Sequence, residues 1–511
     1  MESRLTTTGR WLALSAAILG WMFDGLEMGL FPLAARPALK EVLFSASSET
    51  TLNPVQEQSV KLWYAVMTAN FLVGAATGGV LFGWLGDRLG RVRAMALSVL
   101  TYALFSGLCG TVTSIQQLFL WRFVASLGMG GEWALGVSLV MELWPSNSRG
   151  WLAGLIGAAS NVGFVLIAVV SMSLNSFVDS LHNMLVTVGL PSGLTTTLMA
   201  NDAWRMLMVC GAIPALLTFF IRVLVPESER WLEEKEKGST GHWATQDLLG
   251  VVFGSLGPLG MIYLWANENI TWTVRWVTFL PLLGVAIVGY MYPVMRYLSR
   301  AKASGVTTGL KAVGGRSVIA MMLVGASLSG IALMGTWGSL QWASPWAAKL
   351  AEGTSYTHAK EWTQIVTGTG AILGTIGAAL LGHTFGRRIT YIGMCVLSLV
   401  SVLALYQLND GYGTQFLITA FFAGGLTASF YGWLPLYLPE LFPTRVRATG
   451  QGFAFNFGRI LAAAGALQQI ALMQLFQDDY PKACSVMVMV YLVGVLVIWL
   501  APETRGTELI E

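Results

Sequence analysis

The chain has 511 residues, 55% of them hydrophobic and only 11% charged, with a mean hydropathy of +0.63. Soluble domains are closer to a quarter charged, so a water-facing surface of this size cannot be built from it. The net charge of +3 reads as an orientation signal across a bilayer and not as a nucleic-acid footprint.

Apolar runs of about twenty residues recur from end to end, each long enough to cross ~30 Å of hydrocarbon. They are continuous rather than alternating, which predicts helices and excludes a barrel. In chain order the spans are expected at 11–35, 62–85, 93–113, 117–143, 151–175 and 205–225. A second set follows at 316–342, 362–385, 389–407, 414–441, 448–473 and 483–501. Between the sets lie two further uncharged stretches, 248–267 and 276–295, expected as an inserted helical hairpin with 268–275 at its tip. A re-entrant or membrane-surface pair is the alternative, given Gly254, Gly257 and Pro258. The expectation is an all-α integral membrane protein of about fourteen transmembrane helices. Its parts are an N-terminal six-helix bundle (1–226), a cytoplasmic linker with the inserted hairpin (227–315), and a C-terminal six-helix bundle with a cytoplasmic tail (316–511).

Most of the thirty lysines and arginines fall on the cytoplasmic side if the amino terminus is inside. One inserted helix instead of two would carry Arg387, Arg388, Arg445 and Arg447 outside, so the charge pattern selects an even number. Both termini are therefore expected in the cytoplasm of a multi-pass cell-membrane protein, the inner membrane if bacterial. The first span is too long for a signal-peptide core and contains acidic residues, so it is expected to stay in the mature protein. Cys109, Cys210, Cys395 and Cys484 all lie in spans without metal spacing and read as small packing residues. The segment 176–203 is long for an external connection and suggests a lid.

The two halves repeat at an offset near 297 residues. Gly86-Asp87-Arg88-Leu89-Gly90-Arg91 recurs as Gly382-His383-Thr384-Phe385-Gly386-Arg387. Glu142-Leu143-Trp144-Pro145 with Arg149 recurs as Glu440-Leu441-Phe442-Pro443 with Arg447. Folds built from such repeats place their substrate site at the repeat interface near mid-membrane.

These residues resemble a known superfamily. The run Gly83 to Arg91 is similar to the signature between helices two and three of major facilitator transporters. Pro226-Glu227-Ser228-Glu229-Arg230-Trp231 resembles the segment after helix six of sugar-porter-like members, and Pro502-Glu503-Thr504-Arg505-Gly506 fits the same pattern. Within the superfamily, Phe23-Asp24-Gly25-Leu26-Glu27 and Gly128-Met129-Gly130-Gly131-Glu132-Trp133 look most like the sialic acid:proton symporters, which share a two-helix insertion. The aromatic-acid:proton symporters are neighbours. His383 departs from the pattern, where Asp is commoner, so the second half need not mirror the first.

Ionisable side chains within a bilayer cost at least ~2.5 kcal/mol each on insertion scales and are functional candidates. At ~1.5 Å per helical residue, Asp24 lies ~21 Å from Arg10, Glu132 ~15 Å from Glu142, and Arg459 ~18 Å from Arg447, all near mid-depth. Asp24 and Glu27, spaced i, i+3, share a helix face. The resemblance implies that Asp24 pairs with Arg122 and that Asp24, Glu27, Arg122 and Glu132 carry proton coupling; a static ion pair is the bland alternative. It also implies that Arg459, twelve residues after Arg447, favours an anionic substrate, against the alternative of a permanent partnership with Glu132. A planar guanidinium suits a carboxylate.

Asn70, Asn161, Gln451 and Asn456 could line a cavity and bond hydroxyls, and Tyr431 and Trp433 could offer aromatic faces to a ring; each is alternatively helix-helix glue or packing. Trp337, Trp342 and Trp346 read as an interfacial belt. By resemblance, Gly83, Gly86, Asp87, Arg88, Gly90, Arg91, Glu142 and Arg149, with Gly382, Gly386, Arg387, Glu440 and Arg447, form a cytoplasmic gate.

No phosphate-cradling Gly-rich loop, no His-Glu metal pair and no soluble nucleotide-binding domain occurs in the sequence. Transport is then expected to be secondary, without enzyme activity, cofactor or metal, and with a small solute, protons and the lipid bilayer as the partners of a single chain. The expected function is proton-coupled symport of sialic acid, a sugar acid or another organic acid. A neutral-sugar or organic-cation carrier is the alternative within transport, and a non-transporting membrane sensor the alternative outside it.

Overall fold

The computed structural model describes residues 7–44, 52–267, 269–306, 308–463, 476–477 and 479–510, and among them every regular element is helical. The first half comprises α1 (Thr7–Phe44), α2 (Pro54–Leu89), α3 (Arg91–Leu108), α4 (Ile115–Leu143), α5 (Arg149–Met172), α6 (Leu174–Thr187), α7 (Ser192–Cys210) and α8 (Ala215–Leu224). A short α9 (Glu229–Glu236) precedes α10 (Leu248–Ala266) and α11 (Trp272–Ala303). The second half comprises α12 (Val318–Gly338), α13 (Ala343–Ala351), α14 (Ala359–Phe385), α15 (Arg387–Gln407), α16 (Thr414–Ala428), α17 (Phe430–Leu441), α18 (Arg447–Asn456), α19 (Tyr480–Met487) and α20 (Val490–Val497). Beyond α18 the chain turns at 457 and is helical again over 458–463.

Local chemistry sets these boundaries. Asn53 and Gln56 form a reciprocal capping box at the start of α2: Gln56 N donates to Asn53 Oδ1 at 2.8 Å and Asn53 N to Gln56 Oε1 at 2.9 Å, with Pro54 in the first turn. Gly90, at φ +110°, makes the sharp joint between α2 and α3, a backbone state that a side chain would strain.

Twelve helices among the described residues are long and apolar enough to cross a membrane, against the fourteen expected. The difference lies in two places. The stretch expected as one span over 205–225 is broken into α7 and α8, because the turn 211–214 contains Gly211 and Pro214, and proline has no N–H to continue the ladder. The stretch expected over 448–473 is interrupted after Asn456, and its part from 464 onward lies outside the described residues. The two stretches expected as the hairpin, Thr245–Ala266 and Trp272–Ala303, are among the twelve. They run antiparallel, with Gly257 against Leu282 and Ala286, and Gly254 against Gly289 and Tyr290.

The halves meet along two seams. At one, α5 packs on α14, with Gly154 over Ile376. At the other, α2 packs on α18, where a Cβ on Gly452 would collide with the carbonyl of Gly79. Small residues let helix backbones approach in this way without a hydrophobic driving force between them. On the outside, Val252, Phe253, Leu256, Val277, Leu280, Leu380, Phe385 and Leu496 are exposed. That much apolar surface is tolerable only in lipid.

Candidate functional site

A cavity of about 340 Å³ lies between the halves. Its walls come from α1 (Trp21, Met28, Phe31), α2 (Tyr64, Thr68, Phe71), α5 (Asn161, Phe164), α12 (Trp337) and α14 (Gln364), and its floor from Tyr431, Phe455 and Arg459. It extends toward Gln341, Ser344, Lys360 and Glu361, at the ends of the helices remote from the motif residues 83–91. The floor is aromatic: Trp133 stacks on Phe455 with ring centroids 3.6 Å apart, and Trp21 and Tyr431 meet Phe455 edge-on at 6.1 and 6.5 Å.

Arg459 is 5% exposed. Its Nη1 has no hydrogen-bond partner among the described residues, and no acid lies within ion-pairing distance of it there. Phe455 lies under the guanidinium at 5.6 Å. The acid it interacts with at longer range is Asp24, not Glu132.

Arg122 pairs with Glu27, not with Asp24. Glu27 also accepts from Ser106 Oγ at 3.3 Å, and the guanidinium is sandwiched by Phe31 and Phe71 at 4.0 and 4.7 Å. The i, i+3 spacing puts both α1 acids on one face, but Arg122 sits a turn closer to the end of α1 remote from Arg10 and takes Glu27. Asp24 instead faces Glu132 and Arg459.

Of the polar groups expected in the cavity, Asn161 and Tyr431 line it. The others are occupied elsewhere. Asn70 Nδ2 donates to the carbonyl of Phe119 at 2.8 Å, joining α2 to α4. Gln451 donates to Ala134 O and Ser138 Oγ, and Asn456 Nδ2 to Gly130 O at 2.9 Å and Gly452 O at 3.0 Å, so both tie α18 to α4. Trp433 is fully buried between Tyr391 and Tyr437. Nor do the three tryptophans form one belt: Trp337 lines the cavity, and Trp346 is buried on Tyr406 and Phe416.

At the opposite end the halves are bolted together by buried charge. Arg91 Nη1 bonds Asp87 at 2.8 Å and Gly86 O at 2.7 Å, and its Nη2 reaches Glu142 at 3.1 Å and Thr444 O at 2.8 Å. Glu142 receives Arg447 at 2.8 Å. Asp87 also accepts from Thr449 N at 2.9 Å, Thr449 Oγ1 at 2.6 Å and Ala448 N at 3.2 Å, placing a carboxylate on the positive end of α18. Gly83 and Gly86 keep α2 close enough, since a Cβ on Gly83 would stand 2.6 Å from Ala448 O. Arg88 does not join this cluster: it bonds Thr245 Oγ1 at 2.7 Å and lies over Trp84. Arg149 is buried, with Glu508 at 3.8 Å.

The second half repeats the inner part of the pattern. Arg387 Nη1 donates to Gly382 O at 2.7 Å, and its Nε and Nη2 clasp Glu440 at 3.0 and 2.5 Å. Gly386, at φ +98°, copies the joint at Gly90. The crossing contact is missing, because His383 stands where Asp87 would recur and packs on Gly150 instead.

The sequence singles out the segments around Glu227 and Glu503 by resemblance but gives them no role; they cap both signatures. Glu227 accepts from Arg91 N at 2.9 Å, as Glu503 does from Arg387 N. Ser228 Oγ donates to Glu142, as Thr504 Oγ1 does to Glu440. The signal was the recurrence of Pro-Glu-Ser and Pro-Glu-Thr after the sixth and last spans. Burial lifts the Glu227 carboxyl above its ordinary range. For Glu503 burial acts the same way, but the N–H groups of Arg387, Arg388 and Arg505 outweigh it and hold that carboxyl low.

Two pseudo-repeated helical halves, a cavity between them with an arginine on an aromatic floor, and a charged bolt at one end define a membrane transporter of the major facilitator type, not an enzyme. The chain belongs to the sugar (and other) transporter family, whose model matches residues 13–250 and 346–511. It is 24% identical over 503 residues to the niacin transporter NiaP of Acinetobacter baylyi, covering 96% of this chain and 93% of that one. To the cis,cis-muconate transport protein of the same organism it is 24% identical over 454 residues, covering 88% and 85%. Its fold is similar to that of the proton:xylose symporter XylE bound to 6-bromo-6-deoxy-D-glucose, with a TM-score of 0.63 at 18% identity, covering 99% of this chain and 98% of that one.

Proposed function

We propose that this protein is a proton-coupled symporter of a small, flat organic acid held by its carboxylate on Arg459. The observation that carries the reading is the floor of the cavity: a buried guanidinium whose Nη1 has no partner among the described residues, set on aromatic rings. A desolvated cation without an ion pair is costly unless a ligand completes it, and a carboxylate fits the guanidinium fork. Relatives whose names give niacin and muconate, both carboxylic acids, support the class.

Asn161 and Tyr431 contact the substrate in this reading. Sialic acid or another polyhydroxylated sugar acid is less well served, because Asn70, Gln451 and Asn456 spend their donors on helix packing. A neutral sugar offers the Arg459 fork no carboxylate. Proton coupling runs through Asp24 and Glu132, with Glu27 and Arg122 as their neighbouring ion pair.

The bolt around Asp87, Arg91, Glu142 and Arg447 is the cytoplasmic gate in its closed state, which makes the cavity outward-facing and puts both termini in the cytoplasm. The hairpin α10–α11 crosses the membrane between the two six-span halves, giving fourteen crossings in a chain that works as a monomer. The interruption of the family match between 250 and 346 supports an insertion there.

The test is uptake by proteoliposomes under an imposed pH gradient, across nicotinate, benzoate, cis,cis-muconate, sialic acid and glucose. Accumulation of the flat acids that collapses with a protonophore is expected. Preferential accumulation of sialic acid or glucose would displace this reading.

A further inference from the structure

Five ionisable groups are buried around the cavity floor and behind it: Asp24, Glu27 and Glu132 against Arg122 and Arg459. Three acids face two arginines, so the set is neutral only when it holds one proton. The arrangement shows where. Glu27 and Arg122 satisfy one another. None of the four carboxyl oxygens of Asp24 and Glu132 has a hydrogen-bond partner among the described residues, and the two acids act on each other. The backbone makes room for this: Gly20, one turn before Asp24, lies where a Cβ would overlap the Glu132 carboxyl. Two bare carboxylates cannot share a dry site, so one of the two holds a proton.

The groups facing the pair from the surrounding helices are Glu27 on α1, the Tyr102 hydroxyl on α3, Arg122 on α4 through Glu27, and Arg459 beyond α18. Tyr102 Oη is itself buried without a partner among the described residues. Arg459 interacts with Asp24 and Tyr431.

We propose that Asp24 and Glu132 hold one resident proton between them, and that Asp24 and the substrate's carboxylate alternate as the counter-charge of Arg459. This rests on the organic-acid reading above. In the empty site Glu132 keeps the proton, Asp24 is ionised, and Arg459 balances it. A monoanionic substrate on Arg459 removes that balance, and Asp24 takes a second proton from the open side. One proton and one monoanion then move together, no net charge crosses, and the resident proton stays behind.

Two measurements on the full-length protein in detergent separate this from the reading it rests on. Infrared spectra of the ligand-free protein at neutral pH should show a protonated-carboxyl stretch that is lost in Glu132→Gln, with size exclusion confirming the folded state. Absence of that band in the wild type would overturn the resident proton whatever the substrate. With nicotinate as probe, binding should take up about one proton per anion and strengthen about tenfold per pH unit as pH falls through neutrality. Asp24→Asn should bind it with no proton uptake and a flat pH profile, and Glu132→Gln should still take up one. Continued proton uptake in Asp24→Asn would overturn the alternation. Failure of nicotinate, benzoate and muconate to bind the wild type, with the band present, would count against the organic-acid reading and hence the alternation, but not the resident proton.

Discussion

Arg122 is paired with Glu27 rather than with Asp24, one helical turn away on the same face of α1. The offset divides the two acids by role. Removing Glu27 breaks a direct ion pair, whereas Asp24 is in no direct ion pair or hydrogen bond among the described residues. Glu27→Gln is therefore expected to lower stability by about 3–5 kcal/mol. Asp24→Asn is expected to remain near wild type in thermal stability while losing accumulation against a gradient and keeping exchange. Equal destabilisation of both variants would show that Asp24 is a packing residue.

The proposed gate has its own signature. Asp87 is held by three donors from Thr449 and Ala448 across the seam, so weakening it should open that end of the protein. Asp87→Asn is expected to raise the labelling rate of a cysteine placed at Ser138, behind the bolt, by an impermeant reagent applied from the cytoplasmic side of inverted vesicles. Arg88→Gln should leave that rate unchanged, since Arg88 bonds Thr245 in the linker and lies over Trp84.

Much of this was legible in the sequence because membrane helices announce themselves by length and composition, and because the duplicated Gly-Asp-Arg-Leu-Gly-Arg motif marks equivalent joints. Spacing found the depth of Asp24, Glu132 and Arg459, but depth along a helix says nothing of azimuth. Asn70, Gln451 and Trp433 accordingly turned out to face neighbouring helices and not the cavity. The Glu27 pairing was hidden for a related reason: two acids on one face cannot be ranked until the partner's height is known. The break at Gly211 and Pro214 was visible as residues, yet hydropathy averages across it.

Residues 269–271, between α10 and α11, should lie outside if that hairpin crosses the membrane. A single cysteine at Asn269 is expected to react with an impermeant maleimide in intact cells. Reaction only after permeabilisation would put the tip inside and remove both crossings.

Glu234, buried against Arg445, ties α9 to the loop before α18. Burial alone would raise its carboxyl, but Arg445 and the Ser239 and Lys237 donors hold it below its ordinary value. A depressed folded-state pKa contributes stability that is present above the unfolded value of about 4.3 and lost as pH falls through the folded one. The difference in melting temperature between wild type and Glu234→Gln, reflecting about 1 kcal/mol for a partly screened pair, should be full at neutral pH and close in acid. A gap unchanged below pH 4 would assign the effect to packing.

Arg459 carries the assignment of substrate class, and its variants discriminate most sharply. A charged hydrogen bond lost from a dry site costs ~1.5–3 kcal/mol, roughly ten- to hundredfold in affinity. Arg459→Ala should weaken nicotinate binding by about that factor. Arg459→Lys keeps the charge but loses the planar fork, and should fall between. Nicotinamide, which presents no carboxylate, should bind the wild type weakly and respond little to either substitution. Phe455→Leu offers a control on the same surface: it removes the ring beneath the guanidinium without touching the charge, and should weaken acid and amide alike. If Arg459→Ala also weakened both ligands equally, the arginine would be serving the helix seam rather than the anion, and the neutral-solute carrier would become the better description.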